Sequence, residues 1–181
     1  MLRHLVLVVI LAAVPVPAMS QDQEQPTPCS ADAAFAWLDF WLGTWDVLIQ
    51  DRLVGTNEIR KILNGCAVTE DWTGAEGRRG FSLFYFQPAS RQWKQIWVTD
   101  RALGQGGVKE KALAERLPNG TLKFHGEGLS TDGKRYIDRT ILVPVAEHEV
   151  QQAIEISVDG GETWQTVFDA RYVRRDKVDV R

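Results

Sequence analysis

The chain contains few of the residues that most often carry chemistry. Among its 181 residues only three are histidine and two are cysteine. His4 lies at the extreme N-terminus, and neither His125 nor His148 has the spacing of a metal ligand set. The sequence has no Gly-x-Ser-x-Gly elbow and no glycine-rich phosphate loop that opens a helix. We therefore predict no metal and no cofactor, and no common catalytic motif identifies an enzyme.

The chain also lacks a block or stripe of basic residues. It has 21 Lys and Arg against 24 Asp and Glu, which gives a formal charge of −3. Nothing in this balance predicts nucleic acid or an anionic membrane surface as a partner. The fractions of hydrophobic residues (44%) and charged residues (25%) are typical of one domain with a hydrophobic core. Neither fraction predicts an oligomeric state.

No apolar run approaches the roughly 20 residues that a membrane-spanning helix needs. The run at 5–14 follows Arg3 and His4, and it is followed by small residues at positions 18 and 20, the two positions that a signal peptidase reads. This order is typical of a signal peptide that is removed on export. We predict an exported protein, periplasmic or secreted, with no integral membrane segment after cleavage.

The two cysteines, Cys29 and Cys66, are predicted to form a disulfide. Two cysteines in an exported chain usually pair, and these lack the Cys-x-x-Cys spacing of a redox-active site. The bond would hold the N-terminal segment against the rest of the domain.

From residue 43 onwards the hydrophobic pattern has the period of a β-strand. Short strands are predicted at 43–50, 55–63, 67–73, 80–86, 92–99, 107–115, 121–127, 134–144, 149–158 and 163–174, separated by glycine, proline, asparagine and aspartate turns. A short helix over 31–39, capped by Ser30, would pack across one end of the sheet. The pattern predicts an all-β antiparallel barrel of about ten up-and-down strands, or a sandwich; closure is favoured because it removes exposed edges.

The domain organisation follows from these elements. The predicted order is a signal peptide at 1–20, a flexible lead-in at 21–29, a single β-barrel domain at 30–175 and a C-terminal tail at 176–181.

The alternation of side chains also predicts which residues point into the barrel. Glu70 and Trp72 share the apolar face of their strand, and His125 is placed in solvent. In 134–144 the inner face is predicted to hold Arg139. The remaining inward positions are predicted to be Val68, Leu122, Phe124, Gly126, Ile137, Ile141, Val143, Val150, Gln152, Ile154, Ile156, Val158, Trp164, Thr166, Phe168, Ala170 and Tyr172. Strands 80–86 and 92–99 are apolar on both faces, so their inner faces are undecided.

Five motifs together resemble one family. They are Phe-Trp-Leu-Gly-Thr-Trp-Asp-Val at 40–47, Asn-Gly-Cys at 64–66, Glu-Asp-Trp at 70–72, Gln-Ile-Trp-Val at 95–98 and Ser-Val-Asp-Gly-Gly-Glu-Thr-Trp at 157–164. The set is similar to a family of exported bacterial proteins of unknown function with a lipocalin-like (calycin) barrel, over 29–174. The resemblance implies a fold and an exported location, and it transfers no activity or catalytic residue.

Two of these motifs have a second resemblance. The segment from Ser157 to Trp164 is similar to the Asp-box turn that recurs in sialidase propellers, but one copy predicts only a turn in which Asp159 binds backbone amides and Trp164 anchors it. The Gly-Thr-Trp ending at Trp45 resembles haem-binding barrels of the nitrobindin kind, whose glycine-rich continuation is missing here. Trp45 is therefore predicted to be structural, plugging one end of the barrel and stacked on Arg171 or Arg174 as in similar barrels.

Three classes of function remain open at this level. A binding protein would hold a small apolar or amphipathic molecule in the barrel, contacted by Glu70, Trp72, Gln95, Trp97, Arg139 and Gln152. An enzyme would use Glu70 as acid or base and Arg139 to hold an anionic intermediate. A structural or envelope-interaction protein would have a barrel filled by its tryptophans. For Glu70 and Arg139 the favoured interpretation is a structural ion pair that helps to fix the register of the barrel.

Overall fold

The computed structural model describes residues 29–100, 108–130 and 132–175. The predicted signal peptide, the lead-in as far as residue 28 and the tail at 176–181 lie outside the described residues. Within the described ranges, no helix has both the length and the apolar character required to cross a membrane.

Ten antiparallel strands form a closed barrel, as the alternation predicts. Each strand pairs with its neighbours in sequence, and the first strand pairs with the last through contacts such as Val47 with Tyr172. The strands are β1 Gly43–Ile49, β2 Arg52–Ile62, β3 Ala67–Gly74, β4 Arg79–Gln87, β5 Gln92–Thr99, β6 Val108–Arg116, β7 Leu122–Leu129, β8 Arg135–Ala146, β9 Glu149–Ser157 and β10 Gln165–Arg174. This confirms the all-β up-and-down barrel and excludes the sandwich.

The N-terminal helical segment consists of three short 3₁₀ turns rather than one continuous helix. They span Cys29–Ala31, Ala33–Ala36 and Asp39–Trp41. Asp32 has an extended backbone, and its carboxylate accepts a hydrogen bond from the amide of Ala34 at 2.9 Å. This cap starts a new turn two residues after the predicted helix begins, so the helix is interrupted there.

These turns close one end of the barrel, which we call the closed end. The predicted disulfide between Cys29 and Cys66 is present, with an S–S distance of 2.01 Å, and it ties the segment to the connection after β2. The indole nitrogen of Trp93 donates to the carbonyl of Ala34 at 2.8 Å. Trp41, the last residue of the third turn, is fully buried.

Trp45 lies in the same closed end and is fully buried. Its indole nitrogen donates to the carbonyl of Trp41 at 2.9 Å. The guanidinium of Arg174 stacks 4.3 Å from the ring centroid and donates to the carbonyl of Leu42 at 2.8 Å. Arg171, the other arginine considered from the sequence, instead pairs with Asp51 and Glu149.

The predicted inner face of β8 is wrong by one residue. Asp138 and Thr140 are buried inside the barrel and hydrogen-bond to Lys111, so the polar positions of the alternation face inward. Arg139 consequently lies on the outer face, together with Ile137, Ile141 and Val143. The error arose because hydrophobicity alone assigns polar residues to the solvent side. Here Asp138 and Thr140 are buried because they pair with Lys111.

The inward residues predicted at the β9–β10 connection also need correction. Val158 follows the end of β9 and is 74% exposed, and Trp164 precedes β10 and contacts the outer-face residue Arg139. A register shift between Thr166 and Phe168 breaks the alternation, so that Thr166 is exposed. Beyond this bulge the predicted pattern holds, with Ala170 and Tyr172 buried.

Candidate ligand site at the open end of the barrel

The two ends of the barrel interior differ in how far solvent reaches. At the closed end, the inward-facing aromatic side chains are buried. At the opposite end, which we call the open end, inward-facing side chains stay partly exposed. Four of these partly exposed side chains, all aromatic, form a group that we call the cup: Trp72, Trp97, Tyr136 and Phe168. Because these side chains point inward and are only partly buried, the described residues enclose this end of the interior less completely than the closed end.

The two tryptophans of the cup lie against its wall. A Cβ on Gly55 would come within 2.5 Å of the Trp72 ring, and one on Gly80 would come within 3.0 Å of the Trp97 ring. Each indole therefore occupies the space that a side chain on the neighbouring strand would need. Phe168 meets Trp72 edge to face, with ring centroids 6.3 Å apart.

Below the cup lies a layer of buried polar side chains, which we call the floor. Glu70, on β3, accepts hydrogen bonds from Ser82 Oγ at 2.6 Å and from Asn57 Nδ2 at 2.7 Å. Gln95 Nε2, on β5, donates to Ser82 Oγ at 3.1 Å. All four side chains are at least nine-tenths buried, so their geometry is fixed by these mutual bonds.

The floor continues on the opposite wall. Tyr172, on β10, donates its hydroxyl proton to Gln152 Oε1 on β9. Asn57 Nδ2 lies 3.4 Å from the Tyr172 hydroxyl oxygen, which links this pair to Glu70. One connected network thus joins side chains of six strands.

Two lysines and one carboxylate complete the floor. Asp138 accepts hydrogen bonds from both Lys109 and Lys111, one at each carboxylate oxygen, and Lys111 also donates to Thr140. We call Lys109 and Lys111 the lysine pair. The Lys111 stem passes over Gly126, where a Cβ would lie 2.9 Å from Lys111 Cγ. The Lys111 side chain is 4% exposed, whereas that of Lys109, nearer the mouth, is 32% exposed.

Burial shifts the pKa values of these groups. Desolvation raises the pKa of Glu70 even though Ser82 and Asn57 donate to its carboxylate. Desolvation lowers the pKa of Lys111, and the charge of Asp138 opposes this shift. Burial alone would raise the pKa of Asp138, but the charges of Lys111 and Lys109 outweigh it and hold that pKa below its usual value.

Two acceptors of the floor have no hydrogen-bond partner. They are the side-chain oxygens Asn57 Oδ1 and Gln95 Oε1, and both atoms are fully buried. The amide orientations are fixed because the nitrogen atoms donate to Glu70 and to Ser82. A buried acceptor without a partner costs about 1–3 kcal/mol. An ordered water or a ligand hydroxyl would remove this cost.

The structure brings together five of the six ligand-site residues named from the sequence: Glu70, Trp72, Gln95, Trp97 and Gln152. Arg139 is not among them. The floor and cup also contain residues that the sequence did not single out: Asn57, Ser82, Lys109, Lys111, Tyr136, Asp138, Thr140 and Tyr172. The one sequence feature that could have indicated this site is the presence of Lys109 and Lys111 on the same face of β6. The same pattern is equally typical of a strand face exposed to solvent.

Arg139 is held on the outside of the barrel by two contacts. Its Nε donates to Glu155 Oε2 at 2.8 Å, and its guanidinium lies 3.7 Å from the ring centroid of Trp164. His125 neighbours the same indole, with centroids 6.0 Å apart. This outer group packs the β9–β10 connection onto the wall.

The β9–β10 connection at the open end is a compact turn. Asp159 Oδ1 accepts from Ser157 Oγ at 2.7 Å and from the amide of Thr163 at 2.9 Å. Ser157 Oγ accepts from the amide of Gly161 at 2.8 Å, and the Trp164 indole donates to the Gly161 carbonyl at 3.1 Å. The hydroxyl of Thr163 also donates to Asp159 Oδ2. The hydrogen bonds that Asp159 accepts lower its pKa, and the one from the Thr163 hydroxyl has the largest effect.

In the described part of the chain, no three or more His, Cys, Asp or Glu side chains are grouped as a metal site would require. No protein-family model matches this sequence, and a search of curated proteins finds no similar one. The geometry of the cup and floor is therefore the basis for any functional argument.

Proposed function

We propose that this protein binds a small, partly apolar molecule in the cup, with the polar end of that molecule on the floor. The observation that carries the proposal is the half-exposed aromatic wall above a buried polar layer. Ligand sites commonly combine an apolar lining with a few convergent polar groups. The closed barrel is a suitable scaffold for such a site, although one scaffold supports many functions.

The two layers would contribute differently to binding. Apolar contact with Trp72, Trp97 and Phe168 would supply roughly 25 cal/mol for each Å² removed from water. The floor would orient the ligand, because hydrogen bonds between the floor and the ligand form only when the ligand carries a matching polar group. Arg139, on the outer face, has no part in this version of the site.

A neutral fluorescent probe, N-phenyl-1-naphthylamine, tests the proposal by titration of the purified protein. We expect saturable binding, weakened at least several-fold by Trp72→Ala and by Trp97→Ala. Trp164→Ala is the matched control, because the same side chain is removed from the outer face. Circular dichroism confirms the fold of each variant. Absence of binding to the folded wild type, or equal effects of all three substitutions, would overturn the proposal.

An enzyme on the same scaffold is the second candidate. Burial shifts the pKa values of Glu70 and Lys111 in opposite directions, and such perturbed pairs are concentrated at catalytic sites. In this reading Glu70 acts as acid or base and Lys111 stabilises an anionic intermediate. Turnover of a bound compound that disappears in Glu70→Gln, with binding retained, would establish it.

We also propose that the protein is exported. The disulfide between Cys29 and Cys66 supports this, because such bonds persist mainly in oxidising compartments. Membership of the exported family with a lipocalin-like barrel remains a prediction. Fractionation of the native host, with detection of the mature N-terminus by mass spectrometry, tests the location; recovery of the uncleaved chain in the cytoplasm would contradict it.

A further inference from the structure

The lysine pair carries more positive charge than its partner neutralises. Lys109 and Lys111 both donate to Asp138, so two ammonium groups share one carboxylate. Asp138 is 4% exposed, and both of its oxygens are already occupied by these bonds. A buried or half-buried surplus charge is costly unless a counter-charge approaches it.

The other carboxylate in the floor does not supply that counter-charge by contact. Both oxygens of Glu70 accept hydrogen bonds from Ser82 and Asn57, and neither contacts a lysine. Burial raises the pKa of Glu70 and lowers that of Lys111, so it favours the neutral form of both groups, which attract each other when charged. Arg174, which also points inward, lies at the closed end over Trp45 and donates to Leu42.

Lys109 is placed to receive a counter-charge from the cup. Its ammonium carries three donors. Among the described residues it makes one hydrogen bond, to Asp138. The nitrogen lies 5.9 Å from the centroid of the Trp97 ring, and its side chain is partly open to solvent. Two of its donors, which have no partner among the described residues, therefore lie beside the apolar wall, where the polar end of an amphipathic molecule would arrive.

We propose that the ligand is an amphipathic monocarboxylate whose carboxylate binds Lys109 and whose apolar chain lies along Trp97, Trp72 and Phe168. This inference rests on the proposed function, since it assigns the chemistry of the same site. One negative charge would pair with the Lys109 ammonium, which shares Asp138 with Lys111. A neutral alcohol would leave that charge uncompensated, and a primary amine would add to it.

Displacement of N-phenyl-1-naphthylamine by three compounds of equal chain length tests the assignment: decanoate, decanol and decylamine, at pH 7 and low salt. We expect decanoate to displace the probe at a concentration at least about tenfold lower than decanol, because a hydrogen bond to a charged group contributes about 1.5–3 kcal/mol. Decylamine should be the weakest competitor. Added salt should reduce the preference for decanoate.

Lys109→Met keeps the length and apolar stem of the side chain and removes its charge. We expect this variant to lose the preference for decanoate over decanol. Lys94→Met, on the outer face of β5, is the matched control and should retain the preference. The thermal midpoint of each variant verifies that the fold is intact.

The outcomes separate this inference from the proposed function. If the probe binds but decanol competes as well as decanoate, or if Lys109→Met keeps the preference, the carboxylate assignment is overturned and the cup remains a binding site. If the probe binds and none of the three compounds displaces it, the assignment is likewise overturned. If the probe itself does not bind, both proposals fail.

Discussion

At the scale of single residues, Trp45 combines full burial with two directional contacts. It donates to Trp41 and is covered by the Arg174 guanidinium. Truncation of a buried tryptophan to alanine costs about 3–5 kcal/mol, because apolar contacts are lost and a cavity remains. We expect Trp45→Ala to lower the free energy of unfolding by about that amount in urea denaturation.

The control for this prediction is Trp164→Ala. Trp164 is partly exposed and lies on the outer face, so its loss should cost clearly less. An unchanged unfolding midpoint for Trp45→Ala would show that Trp45 does not hold the closed end together.

Glu70 gives a prediction about pH. Burial raises its pKa in the folded protein, so the folded state binds the proton more tightly than the unfolded chain does. The resulting stabilisation is complete below the unfolded pKa of about 4.3 and is lost as the pH rises through the raised pKa. Glu70→Gln cannot titrate, so its stability relative to wild type should increase from pH 4 to pH 8.

Urea denaturation of both proteins across this range measures the difference. Asp71→Asn serves as the comparison, since Asp71 is the next residue of β3 and faces outward, where it pairs with Arg60. A wild-type advantage that grows with pH would contradict the assignment of Glu70 as a buried group destabilised by its charge.

At the scale of elements, the disulfide joins the N-terminal turns to the barrel. Cys29 and Cys66 are separated by 37 residues. In the chain-entropy model, a loop of this size contributes about 3–4 kcal/mol by restricting the unfolded chain. We expect the double variant Cys29→Ser/Cys66→Ser to be destabilised by roughly this amount, and the wild type with dithiothreitol to approach it. Equal stability of the oxidised and reduced proteins would contradict the prediction.

Strands whose inner faces are apolar were the elements that the sequence could place. In β3, the alternation of Val68, Glu70 and Trp72 predicted the inner face because two of its three residues are apolar. In β8, the same reasoning failed: Asp138 and Thr140 face inward because Lys111, 27 and 29 residues earlier, binds them. A short-range pattern carries no information on such a partner.

At the scale of the whole molecule, the barrel could be predicted and its site only in part. Strand period and turn residues determine local geometry, and closure follows from the need to pair every edge. The site depends on contacts between distant strands. The lysine pair illustrates this. In the sequence, the run from Lys109 to Lys111 is typical of a solvent-exposed strand face, and only the structure shows Asp138 and Gly126 beside Lys111.

The filled, cross-linked closed end has a consequence for how a ligand would travel. If a ligand binds in the cup as proposed, it would enter and leave through the open end, with its polar end first and its apolar end toward the mouth. The part of an apolar chain that is too long for the cup would then extend past the open end, beside the turn that contains Asp159. Such a protein would discriminate among ligands by end group and by width, and it would tolerate a range of lengths.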